Sequence, residues 1–257
     1  MSAHEEDLTR KQRREQARAQ RKALEQAEAA RAVRRTRLTQ LGIVVAVVVV
    51  AIVAVLVATG GGKGKAPAAG SPPATKTTAE VSSLLGGIPQ AGIVLGSPNA
   101  PVTLQYFADL ECPVCKEFTT GALQSLIPQW VRTGKLKIEY RNLETATRER
   151  EVFRDQQVAA LAAGKQGKLW PFIEIFYREQ GEEGSGYVTE QYLQNLAQQV
   201  PGLNITQWTA ARNEPGLASQ LTTDAQLASS QGFTGTPSFL ISKTGGAAFG
   251  CSIKRAS

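Results

Sequence analysis

Two of the three cysteines in this 257-residue chain stand three positions apart, as Cys112-Pro113-Val114-Cys115. Sulfurs at that spacing can close a small disulfide, share a metal ion, or exchange bonds with sulfurs on another protein. A cross-link across so short a loop removes little chain entropy, so a purely structural bridge gains little. A closed metal site needs more ligands than the chain supplies. Only Cys251 remains, with His4 as the single histidine, which is short of the four cysteine or mixed cysteine and histidine ligands such sites use. No metal and no cofactor are expected. Exchange chemistry is the favoured reading of the pair.

That chemistry depends on asymmetry. Cys112 is predicted at the N-terminus of a helix, with Pro113 just inside it, where a missing N–H costs nothing. Free amides and the helix dipole there stabilise a thiolate, so the Cys112 thiol should ionise below its ordinary range. A sulfur of that kind attacks readily and leaves readily. Cys115, one turn on, is expected to be the more buried, resolving partner, with Cys112 exposed. Two neighbours limit the effect. Glu111 would raise the thiol pKa if its carboxylate faces the sulfur, although a solvent-facing surface charge is an equal expectation. Val114 supplies no cation.

The elements that must position this pair are legible around it. Residues 101–107 alternate Val102, Leu104 and Tyr106 against Thr103 and Gln105, a strand leading straight into Asp109, Glu111 and the cysteines. A helix should follow, with Cys115, Phe118, Ala122, Leu126 and Trp130 on one face, Leu123 and Ile127 beside them, a kink at Pro128 and a stop at Gly134. Leu136, Ile138 and Tyr140 then mark a second strand, completing a βαβ unit if the two are parallel. From about residue 148 to 231 only helical patterns occur. They are marked in turn by Val152, Phe153 and Leu161; by Phe172, Ile173, Phe176 and Tyr177; by Tyr192, Leu193 and Leu196; by Trp208; and by Leu217, Leu221 and Leu227. Strand character returns at 238–242, Gly245-Gly246 reads as a turn, and a last strand is expected within 247–254. The order describes one sheet with a helical insertion, an α/β domain over 81–257.

Three further segments precede it. Residues 1–40 hold 11 Lys/Arg against 6 Asp/Glu, whereas residues 81–257 carry 15 of each sign. The basic character therefore belongs to the N-terminal part, and the neutral main domain lacks the basic face of a nucleic-acid binder. The 41–59 segment is apolar and rich in Val and Ile. The 18 residues 41–58 would span about 27 Å as a helix, the thickness of a bilayer core. Arg31, Arg34, Arg35 and Arg37 flank it on one side and only Lys63 and Lys65 on the other. The positive-inside rule thus predicts one transmembrane helix with a cytoplasmic N-terminus and an extracytoplasmic main domain, in a compartment where disulfides persist. Residues 60–80, rich in Gly, Pro, Ala and Thr, read as a flexible linker.

The stretch LGSPNAPVTLQYFADLECPVC, residues 95–115, followed by GFTGTPSFLI at 232–241, resembles the DsbA-like thiol–disulfide oxidoreductases, in particular their membrane-anchored Gram-positive and actinobacterial type. The resemblance covers roughly residues 85–253. It implies a thioredoxin-like fold with a helical insertion. It also implies that Thr236-Pro237 is the family's cis-proline dipeptide beside the active site, with Thr236 offering its backbone to substrate. Asp109 matches a family position too, although capping the following helix is a sufficient role for it. The chain departs from the family in reaching Ser257 with no room for a C-terminal helix, which predicts an uncovered sheet face. Cys251 is unexpected, and reads as a buried or idle thiol or as half of an intermolecular disulfide.

Together these readings predict a membrane-tethered extracytoplasmic thiol–disulfide oxidoreductase that forms disulfides in exported client proteins and is re-oxidised by a quinone-linked membrane partner. Cys112 and Cys115 would be catalytic; Glu111, Pro113, Val114, Thr236 and Pro237 would support them. An extracytoplasmic reductase or isomerase and a non-catalytic client-binding module on the same fold are the alternatives.

Overall fold

The computed structural model describes residues 70–252. The basic tail, the 41–59 segment and the first part of the expected linker lie outside the described residues. Among the described residues no helix is long and apolar enough to cross a membrane.

Six strands form one sheet in the order β1-β2-β4-β3-β5-β6: β1 (Gln90–Ala91), β2 (Val94–Leu95), β3 (Val102–Ala108), β4 (Leu136–Asn142), β5 (Ser238–Lys243) and β6 (Ala248–Ser252). The two central strands, β3 and β4, are parallel, with Tyr106 opposite Tyr140 and Ala108 opposite Asn142. The expected βαβ unit is therefore present. β5 runs antiparallel to β3, pairing Phe239 with Tyr106, and β6 runs antiparallel to β5. In β4 the alternation read from the sequence is the alternation of burial, with Leu136, Ile138, Tyr140 and Asn142 buried and Lys137, Glu139 and Arg141 partly so.

Successive side chains of β3 face opposite ways and meet two separate cores. Tyr106 belongs to the larger one, with Cys115, Leu123, Ile127, Tyr140, Trp170 and Trp208. Phe107 belongs to a smaller cluster with Ala228, Phe233 and Leu240 on the opposite face. Burying one Phe or Tyr fully is worth about 1.5–3 kcal/mol, so the pair Tyr106–Phe107 pins β3 between both layers.

Between Cys112 and β4 the single expected helix is three pieces: α2 (Pro113–Thr120), α3 (Ala122–Leu126) and a π-helical turn over Ile127–Val131 that contains Pro128. Gly121 makes the break possible, because a Cβ there would lie 2.7 Å from the Glu117 carbonyl oxygen. The break resets the helical phase. Leu123, Ile127 and Val131 become the buried series, while Ala122 and Trp130 are exposed. The expectation that Trp130 shares the core face with Cys115 is thus overturned. Gly134 ends the segment with φ +72°, as its stop role requires.

The insertion holds five helices: α4 (Arg150–Gly164), α5 (Leu169–Arg178), α6 (Glu190–Gln199), α7 (Ile205–Ala211) and α8 (Pro215–Ser230). All nine residues from Leu169 to Tyr177 are buried, so α5 forms the centre of the insertion. α8 covers the other face of the sheet. Its buried Asp224 accepts hydrogen bonds from the backbone N–H and Nδ2 of Asn142 at the end of β4.

The linker is shorter than expected. Residues Pro72–Leu85 form a helix, α1, with Ala74, Val81 and Leu85 buried. Arg132 donates to the carbonyls of Leu84 and Gly86 at 2.7 Å each, and Thr78 donates to Gln199. These buried apolar side chains and polar contacts, with an Arg178–Glu80 ion pair at 3.8 Å, hold the segment to the fold. At the far side of the sheet, the cross-strand partners Ile241 and Phe249 are 47% and 76% exposed.

Candidate active site

The end of β3 delivers a tight turn. The Cys112 N–H donates to the Asp109 carbonyl at 3.1 Å, and Cys112 then takes extended backbone angles at the N-cap of α2, with Pro113 as the first helical residue. Proline fits there because that amide has no intrahelical acceptor. Val114 is half-buried against the larger core. From the other side comes the loop before β5, where the Thr236–Pro237 peptide bond is cis. Both residues are buried, and the Cys112 Sγ donates to the Thr236 carbonyl at 3.4 Å.

Cys112 and Cys115 are free thiols here. The expected order of accessibility holds but its scale does not. Cys112 is only 5% exposed and Cys115 fully buried, because the Thr236 loop lies over the first sulfur. The two thiols are driven apart. Cys112 is lowered from an ordinary 9.0 to about 7, first by a hydrogen bond from Cys115, then by the Thr236 side chain and the amides of Cys115 and Val114; burial opposes them. The helix terminus therefore contributes as expected, but the second thiol contributes more. Cys115 is pushed well above the ordinary range by burial, by the hydrogen bond it gives Cys112 and by the Cys112 charge. One sulfur is a stabilised leaving group and the other is held protonated, a pairing suited to thiol–disulfide exchange.

Glu111 is not the solvent-facing charge considered above. It is 3% exposed, and burial, with the Asp109 charge as a smaller cause, raises its pKa. Nor does Asp109 cap the helix. Its fully buried carboxylate accepts from the Glu111 amide at 3.1 Å and from the amides of Thr145, Ala146 and Thr147 at 2.9, 2.9 and 3.0 Å. The Thr147 hydroxyl adds a fifth bond, at 2.6 Å. A carboxylate has about four lone-pair positions, so this one is saturated by neutral donors.

Other partners close the site from below and from the insertion. Tyr106 donates to the Cys115 carbonyl at 3.3 Å, and Tyr177 to the Asp109 carbonyl at 3.1 Å. Gln180, just after α5, donates through Nε2 to the carbonyls of Leu110 and Cys112, at 2.6 and 3.2 Å. Lys116 Nζ in turn donates to the Gln180 carbonyl at 3.3 Å. Thr145, Gln180 and Tyr106 were not singled out as site residues from sequence. One available signal was topological: the loops after the parallel strands β3 and β4 open on the same sheet edge, where α/β proteins place their sites. Cys251 lies on the edge strand β6 and is exposed, rather than buried. Among the described residues, no group of three or more His, Cys, Asp or Glu is placed to hold a metal.

The thioredoxin family model matches residues 89–245. Among curated proteins, a probable disulfide bond formation protein D of Bacillus anthracis is 23% identical over 154 residues, covering 57% of this chain and 68% of that protein. Disulfide bond formation protein D of Bacillus subtilis is 25% identical over 153 residues, covering 58% and 66%. Among solved structures, oxidised BdbD of Bacillus subtilis superposes with a TM-score of 0.53 at 22% identity, covering 63% of this chain and 88% of that one. A thioredoxin-like oxidoreductase from Silicibacter pomeroyi gives 0.50 at 27% identity, covering 67% and 90%.

Proposed function

The chain belongs to the thioredoxin family as a DsbA-like thiol–disulfide oxidoreductase, and from that premise we propose that it forms disulfides in exported proteins from a membrane tether. The observation that carries the catalytic part is the opposition between Cys112, lowered to about 7, and Cys115, raised and fully buried. A client thiolate attacks Cys112 Sγ of the oxidised pair. The Cys112–Cys115 bond breaks, Cys115 leaves with the electron pair and takes up a proton. A second client thiolate then attacks the client sulfur of the mixed disulfide, and Cys112 leaves as the thiolate. The client has lost two electrons and two protons, and the Cys112–Cys115 pair has gained the electrons. A quinone-linked membrane oxidase is the class of partner that restores the disulfide. Glu111, Pro113, Val114, Thr236 and Pro237 support the reacting sulfurs, with Thr236 at the edge where a client chain would lie.

Tethering and an extracytoplasmic location are supported by the apolar 41–59 segment and its basic N-terminal flank. A second reading, an extracytoplasmic reductase, is favoured by one observation. A nucleophile near 7 matches the value typical of reducing thioredoxin, whereas strongly oxidising relatives lie near 3.5. The names of the curated relatives favour disulfide formation.

Trapping tests the proposal. In the full chain, Cys115→Ser should accumulate mixed disulfides through Cys112 with exported proteins, and sequencing the captured chains identifies the clients. Capture of no client under oxidising growth, or a protease-accessibility map placing residues 81–257 in the cytoplasm, would sink it. The reduction potential separates the two readings: near that of thioredoxin for a reductase, well above it for an oxidase.

A further inference from the structure

The saturated carboxylate of Asp109 ties together two segments that meet nowhere else in sequence. Through the Glu111 amide and its own carbonyl, which accepts from the Cys112 N–H, it holds the turn that carries the nucleophile. Through three consecutive amides it holds residues 145–147, the loop after β4. Convergent backbone amides of this kind form an anion-binding nest, here filled by the protein's own side chain. The loop held in this way presents the Thr145 hydroxyl to the Thr236 hydroxyl, and the two are hydrogen-bonded. Thr236 in turn lies over Cys112, its carbonyl 3.4 Å from the sulfur.

We propose that Asp109 and Thr145 are positioning residues for the exchange reaction, acting on Cys112 through Thr236. Asp109 sets the height of the 145–147 loop, and Thr145 sets the rotamer and proton direction of the Thr236 hydroxyl. The Thr236 hydroxyl has a single hydrogen. When Thr145 donates to it, that hydrogen is left free to serve the Cys112 thiolate. The Thr236 side chain already counts among the groups that lower the Cys112 pKa. Chains of hydrogen bonds polarise one another, so the outer hydroxyl strengthens the inner contact when Cys112 carries charge. In the disulfide form the sulfur is neutral and the ladder has no charge to serve. The device therefore stabilises the reduced protein selectively and raises the potential of the pair.

The inference rests on the reading of Cys112 and Cys115 as the redox pair. The test measures the reduction potential of that pair in the purified full-length protein, by equilibration with glutathione, alkylation and mass analysis of the peptide that holds both cysteines. Thr145 is itself exposed, so Thr145→Val keeps shape and fold while removing the hydroxyl. It should lower the equilibrium constant for oxidising glutathione about two- to fivefold, less than the tenfold that corresponds to 29.6 mV. Thr145→Ser should restore the parent value. In a Thr236→Val background, Thr145→Val should change nothing further. Asp109→Asn, where it folds, should shift the potential in the same direction and by more. An unchanged potential in Thr145→Val, no rescue by serine, or an effect that persists without the Thr236 hydroxyl overturns the inference while leaving the redox pair intact. A parent protein whose pair never equilibrates with glutathione overturns the pair itself, a distinguishable result.

Discussion

The end of β3 and the β5–β6 hairpin use cysteine in opposite ways. At the first, Cys112 is 5% exposed and Cys115 wholly buried, inside a hydrogen-bonded network that includes the Thr236 and Gln180 contacts. At the second, Cys251 is exposed on an edge strand beside Phe249, itself 76% exposed. Accessibility and chemical preparation therefore run in opposite directions across one sheet. What readies a sulfur for exchange is a set of hydrogen-bond donors for its anion and a second sulfur within reach, and at Cys112 these outweigh the opposing effect of burial.

The strongest way to break this contrast is to remove each sulfur. Cys112→Ser should reduce dithiol oxidation by the full-length protein to background, whereas Cys251→Ser should leave it at the parent rate; loss of turnover in the second variant would show that the hairpin takes part. Next is stability. Asp109→Ala strands the buried amides of Glu111 and Thr147 and the part-buried ones of Thr145 and Ala146, and should cost about 3 kcal/mol or more in denaturant unfolding, since each unsatisfied buried group costs roughly 1–3 kcal/mol. Phe249→Ser, on the exposed hairpin, should stay within about 0.5 kcal/mol of the parent. A cost below 1 kcal/mol for Asp109→Ala would mean that water replaces its bonds.

The contrast is sharpened by pH. The thiolate is the reacting species, and a Cys112 thiol lowered to about 7 is half ionised at that pH. Its alkylation rate should plateau above about pH 8 and fall about tenfold per unit well below the pKa. Near pH 7 it should outpace Cys251 despite its burial, while Cys115, raised and buried, stays unlabelled. Peptide mapping after timed alkylation reads all three, and faster labelling of Cys251 at neutrality would put access ahead of ionisation. The smallest effect is that of Thr145→Val, a few-fold in the redox equilibrium and nothing in unfolding.

The parts of this molecule with a period or a motif were legible in its sequence. β3 and β4 alternate, the insertion helices carry their aromatics at helical spacing, and the pair with its distant Thr236-Pro237 is a motif. What stayed hidden depends on phase or on a contact partner. Trp130 is exposed because Gly121 breaks the helix and rotates everything after it, which a single continuous helical wheel misses. The first part of α1, residues 72–80, reads as linker because only Ala74 there is a buried apolar residue among prolines and threonines, and its docking depends on Gln199, far away in sequence. Thr145 has no signal of its own. Its role follows only from a loop that Asp109 folds back toward residue 236.

Gln180 binds the carbonyls of the residues on either side of Glu111 and is itself bonded through its carbonyl by Lys116. The insertion is thus stitched to the nucleophile's own backbone on that flank. On that side the turn that carries Cys112 and the start of the loop after α5 cannot separate without breaking those bonds.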